Sequence, residues 1–133
     1  MNKIYIAAPW KEKTLARETK SLLEAEGWMV TSRWIDGYSN SVGGMDKSAQ
    51  ILAREAWNDV EDVRAANVFL LLNTQQRGEE TSGKAVETGI AIEREIPIFL
   101  VGGRTNVFHF LGNVRWFATI EDAITHLLHL EVR

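Results

Sequence analysis

The sequence predicts a doubly wound α/β domain, with five parallel strands in the order 2-1-3-4-5. Strand-like and helix-like segments alternate five times along the chain, which implies parallel pairing through right-handed crossovers. The most hydrophobic stretch, "NVFLLLN" at 67–73, is a continuous apolar run of the kind a central parallel strand shows when helices cover both its faces. A length of 133 residues with 45% hydrophobic content suits one core, so a single domain over 1–133 is expected.

Each element has its own warrant. Residues 3–8, "KIYIAA", are β-branched, aromatic and small, and the run stops at Pro9 as a buried strand does on entering a loop. Residues 11–26 place Leu15, Leu22 and Leu23 among charges, the spacing of an amphipathic helix that Gly27 ends. "WMVTSRW" at 28–34 reads as the second strand, and the Gly-, Ser-, Asn- and Asp-rich "IDGYSNSVGGMD" after it as a mobile loop. A long helix follows from Lys47 to about Ala66, its apolar stripe at Ile51, Leu52, Ala56, Val60 and Val63. After the central strand come a polar loop (74–82), a helix over 83–94, the strand "IPIFLVG" at 96–102, a further loop, a short strand at 114–118 and a helix over 121–130.

Composition narrows the function. Eighteen acidic residues against fifteen Lys plus Arg give a formal charge of −3 with no long basic run, so a nucleic-acid partner has no electrostatic support. The absence of cysteine removes disulfides, thiolate zinc sites and a cysteine nucleophile, and is compatible with a cytoplasmic protein. The apolar run at the N-terminus is too short for a membrane span or a secretory signal. His109, His126 and His129 all fall in the last quarter and are read as surface or packing residues, so no metal is expected. Neither a P-loop nor a GxGxxG fingerprint is present.

In a sheet of this order, ligands bind outside the carboxyl ends of the strands, where the order switches between the first and third. The loops after Ala8, Trp34, Asn73 and Gly102 therefore surround one crevice. Glu87, in "TSGKAVETG" (81–89), stands at the start of the helix that leaves the third strand. An early-turn Glu can simply favour the helix dipole; a partly desolvated carboxylate in a crevice can also act as nucleophile or base. On this helix the face carrying Lys84, Thr88 and Glu95 is expected to meet water, with Glu87 beside the packed side. Asp59, between Glu55 and Asp62 in "EAWNDVED", borders the apolar stripe of the long helix; three acids on one face also describe a solvated surface. Trp10 and Trp34 lie at strand ends, where an aromatic packs or stacks on a base. Arg33 is a surface charge or a bidentate phosphate ligand. Thr81 and Ser82 are helix caps, phosphate ligands at a helix N-terminus, or both.

Four stretches together resemble the nucleoside 2-deoxyribosyltransferase-like family, which includes nucleotide N-glycosidases: "IYIAAPW", "WNDVEDVRAANVFLLL", "SGKAVETGIAI" and "IPIFLVG", covering most of the chain in order. The resemblance implies a flavodoxin-like or Rossmann-like sheet and an enzyme of N-glycosidic bonds in nucleotide salvage, acting on a 2'-deoxynucleoside or its 5'-monophosphate without a cofactor. It makes Glu87 the nucleophile that forms a covalent deoxyribosyl-enzyme and Asp59 the acid that assists the departing base. Trp10 then lies near the base and Tyr5 lines the site; Arg33, Trp34 and Gly83 are the further substrate contacts read from the loops around the crevice. It also implies a homodimer or larger homo-oligomer. Transferases of the group often carry an acid just before the first glycine, whereas this chain has Thr81 and Ser82 there, as the 5'-monophosphate hydrolases of the group do. A hydrolase and a catalytically idle nucleotide-binding protein are thus the alternatives. The cytokinin-activating phosphoribohydrolase-like family is a further comparison, but its Gly-Gly-x-Gly-Thr run is missing here.

Overall fold

The structure, a computed structural model, describes residues 2–37, 48–74 and 82–130. Strands β1 (Lys3–Ala7), β2 (Met29–Val30), β3 (Val68–Asn73), β4 (Ile98–Gly102) and β5 (Val114–Phe117) are joined through helices α1 (Lys13–Ala25) after β1, α2 (Trp34–Gly37) and α3 (Ala49–Ala65) after β2, and α4 (Ser82–Glu93) after β3, with α5 (Ile120–Leu128) following β5. All pairings are parallel and the order is β2-β1-β3-β4-β5, as the alternation predicts. Every residue of β3 is buried, which accounts for its unbroken apolar sequence.

Strand pleating sorts the core between the two faces of the sheet. Tyr5 pairs in register with Phe69, and their rings stack at 5.6 Å; side chains two residues apart share a face, so Leu71 and Asn73 lie on this side too. On the other face Phe99 stacks on Phe117, which in turn meets His126 of α5. The helices α3 and α4 pack side by side, and α5 covers β4 and β5.

Four local readings are corrected. The second strand is two residues long rather than seven, because side chains take over where its ladder stops: the Ile6 N–H donates to Ser32 Oγ (2.6 Å) and the Trp34 indole N–H to the Ile6 carbonyl (2.8 Å). Trp34 consequently begins a short helix and is buried. The first helix turns on Ala16, Thr19 and Leu23, with Leu22 56% exposed, since one residue's rotation of about 100° carries Leu22 off the buried arc. Of the expected stripe on α3 only Val63 is fully buried; Ile51 and Ala56 are exposed, and the buried neighbour is Asp62. The fourth correction concerns α4, where Lys84 and Thr88 are buried, 6% and 5% exposed, rather than facing water.

Between β4 and β5 runs a short segment with one 3-10 turn, Val107–Phe110. The 38–46 part of the expected mobile loop, Glu80 and Thr81 lie outside the described residues.

Candidate active site

The carboxyl ends of β1 and β3 open towards the first turns of α4, and there the Tyr5 hydroxyl donates a hydrogen bond to Glu87 Oε2. Tyr5 comes from the middle of β1 and is fully buried, so its ring is fixed by the sheet while its hydroxyl reaches the crevice. Burial drives the Glu87 carboxyl up from the ordinary carboxylate range to about 8; the Tyr5 bond and the Lys84 ammonium pull it down, and the negative charge of Asp59 pushes it further up. The same two acids, after burial itself, hold the Tyr5 hydroxyl well above its usual value, so Tyr5 remains a proton donor at any physiological pH. Asp59 of α3 is half-buried, and its charge acts on both Tyr5 and Glu87. Three residues from three elements thus form one electrostatic unit.

Lys84 and Asn73 complete this arrangement. The polar residue that ends the apolar run of β3, Asn73, accepts from Lys84 Nζ (2.9 Å) and donates to the Gly103 carbonyl (2.6 Å) and to Thr105 Oγ1 (3.1 Å). Lys84 is buried because an acceptor waits for it at the strand end. Thr88 is buried because its hydroxyl returns to the Lys84 carbonyl (2.7 Å). Neither role was legible in the helix pattern. The available signals were a lone polar residue closing an apolar strand and a cation one turn before Glu87.

The remaining expected residues divide. Trp10 packs on Trp34 with ring centroids 6.0 Å apart, and Lys13 lies 4.5 Å over the Trp10 ring; the partly exposed Trp10 is therefore an aromatic rim backed by a buried one. Arg33 spends its guanidinium on α3: Nε donates to Asp62 Oδ1 (2.8 Å) and Nη2 to Glu61 (3.2 Å), while its backbone N–H reaches Asp62 Oδ2 (2.9 Å). This clamp ties the segment after β2 to α3, and the exposed Arg33 is here an ion-paired surface charge, the first of the two roles expected for it. Gly83 is exposed on the first turn of α4, where an added Cβ would meet nothing within 4 Å. Ser82 opens α4. No group of three or more potential ligands capable of holding a metal ion occurs among the described residues, and no helix among them is long and apolar enough to cross a membrane.

Fold and site together define a class: a doubly wound α/β domain with a tyrosine-held carboxylate at its topological switch point. No protein-family model and no curated protein matches the sequence. Solved structures do match. The chain is similar to a 2-deoxyribosyltransferase from Bacillus psychrosaccharolyticus (19% identity, 98% of each chain covered, TM-score 0.69). It is similar also to the CMP N-glycosidase BcmB of Clostridium botulinum (17% identity, 97% of this chain and 100% of the other, TM-score 0.64), and to a conserved protein from Enterococcus faecalis V583 (18%, 100% and 89%, TM-score 0.52). The shared property is the fold, along the whole of the chain.

Proposed function

We propose that this chain is a member of the nucleoside 2-deoxyribosyltransferase-like family and that it cleaves or transfers the N-glycosidic bond of a 2'-deoxynucleoside or its 5'-monophosphate through a covalent deoxyribosyl-Glu87 intermediate. The observation that carries the reading is the Tyr5–Glu87 hydrogen bond beside Asp59 at the switch point. Tyr5 occupies Oε2 and leaves Oε1 to attack. In the first step Oε1 bonds to C1' as the C1'–N bond breaks; the base leaves with the electron pair and takes up a proton delivered from the side of Asp59. In the second step water or another base attacks C1', giving up its proton to the side of Asp59, and the C1'–Oε1 bond breaks to release the Glu87 carboxylate. The positive charge that develops on the sugar favours the ionised form of Glu87, which burial alone disfavours.

Trp10, backed by Trp34, is placed to stack on the base, and Arg33 acts by holding the crevice wall. Thr81, Ser82 and Gly83 are assigned to a 5'-phosphate at the start of α4. That hydroxyl pair, with no acid beside the glycine, favours hydrolysis of a nucleotide as the second reading. The reading requires no cofactor or metal and places the enzyme in the cytoplasm. A homodimer or larger homo-oligomer is supported by Ile51, Trp57 and Val86, exposed apolar side chains on the adjacent helices α3 and α4.

Incubation with a panel of deoxynucleosides, ribonucleosides and their monophosphates, with and without an acceptor base, followed by chromatography, tests the proposal. Release of free base supports glycosidic cleavage, and a new nucleoside formed with the acceptor supports transfer. Retention of every substrate intact, with binding detected, would identify a binding protein instead.

A further inference from the structure

A doubly wound sheet ordinarily places a helix in the crossover between its last two strands, where that helix shields the flank of its neighbour. Here the crossover is the short segment 103–113 with its single 3-10 turn, Val107–Phe110. The flank of α4 turned away from α3 is left beside a cavity of about 430 Å³, within the range of roughly 300 to 1,000 Å³ typical of small-molecule sites. Leu71 forms part of its floor, Lys84, Gly89 and Ile92 one wall, and Phe108 and His109 the other. Glu87 and Tyr5 do not line it, but Asn73 and Lys84, which belong also to the arrangement around Glu87, do. A Cβ added to Gly89 would meet nothing within 4 Å, so space is open above the helix at that point.

We propose that this cavity is a second small-molecule site, taking a flat ring that carries one anionic group, and that its occupancy is felt at Glu87 through Lys84. The walls are mostly apolar, and Phe108, 58% exposed, offers a ring for stacking. The polar end is the buried Lys84 ammonium, 2.9 Å from Asn73 Oδ1. A buried cation at one end of a largely apolar cavity attracts an anion, and a charge-assisted bond in such surroundings is among the stronger ones an ammonium can make. Lys84 stands one turn before Glu87 on α4 and draws its carboxyl towards ionisation. An anion on Lys84 offsets that pull, so occupancy of the cavity favours protonated Glu87, and by reciprocity ionisation of Glu87 weakens the ligand.

The test is an NMR titration of the full chain with benzoate (ring and charge), benzamide (ring alone) and acetate (charge alone). The expected result is saturable binding of benzoate at least about tenfold tighter than either comparator, with shifts centred on 105–109 and on the Ala85–Ile92 flank of α4. Lys84→Met should weaken benzoate about tenfold; Phe108→Ala, at an exposed position that does not threaten the fold, should weaken it about threefold or more. The Glu87 carboxyl, followed by its carbon resonance, should titrate at higher pH when benzoate is saturating. Absence of saturable binding, equal binding of benzamide, or shifts confined to the Tyr5–Glu87 crevice would overturn the site. An unmoved Glu87 midpoint would overturn the coupling. None of these measurements requires turnover, so failure here is distinguishable from failure of the proposed reaction.

Discussion

Glu87 is recessed enough that burial, more than any single neighbour, sets its proton affinity, with a value of about 8. In the proposed reaction the ionised form attacks, so base release should rise with pH up to about 8 and level off above it. Tyr5→Phe removes a bond that favours the ionised form, and the rising limb should move to higher pH in a pH–rate profile. Stability should run the other way. A carboxyl whose proton is held more tightly in the folded state than in the unfolded chain stabilises the fold below about pH 4.5, its unfolded value, and that contribution is lost as pH rises through about 8. Glu87→Gln abolishes the loss, so at pH 9 thermal unfolding should find this variant more stable than the parent by a few kcal/mol, since each pH unit is worth about 1.4 kcal/mol. Near pH 4 the two should melt together. The acid itself was legible in the sequence, as a carboxylate at the start of the helix after the central strand. Its partner Tyr5 came only from the family resemblance, because nothing in a buried strand pattern tells which aromatic hydroxyl will face the crevice.

At the scale of elements, the β3–β4 edge shows why the site has little freedom. Gly102 adopts φ +106°, and a Cβ there would lie 2.3 Å from the Asn73 carbonyl oxygen. Both the backbone conformation and the contact exclude a side chain, so Gly102→Ala should cost well over about 1 kcal/mol, read as a fall in melting temperature. Asn73→Ala removes one acceptor of the buried Lys84 ammonium together with the bonds to Gly103 and Thr105, and should destabilise by about 1 to 3 kcal/mol in denaturant unfolding. The strands β3 and β4 were readable because continuous apolar runs have few other uses. The edge strand β2 was overextended for the opposite reason: Ser32 and Trp34 look like strand residues, yet they serve β1 through their side chains. The helix α4 was turned to the wrong face because Lys84 and Thr88 are polar by composition and buried by partnership, and periodicity records only composition.

For the whole molecule, the topology brings Tyr5, Asp59 and Glu87 together from positions up to 82 residues apart in sequence, and the order of the strands alone was enough to place that meeting point. The cavity on the far flank of α4 had no such signal, since it arises from a crossover too short to carry a helix. Size-exclusion chromatography with light scattering should give a dimer or larger species, and Trp57→Glu, on the exposed face of α3, should shift it towards monomer. The central claim is that Glu87 carries the sugar. Peptide mapping by mass spectrometry after brief incubation with a 2'-fluorinated deoxynucleoside, whose fluorine slows release of the glycosyl-enzyme, tests it most directly. The account predicts a deoxyribosyl adduct on Glu87 that is absent from Glu87→Gln; base release with no adduct there, or with the adduct on another residue, would contradict it.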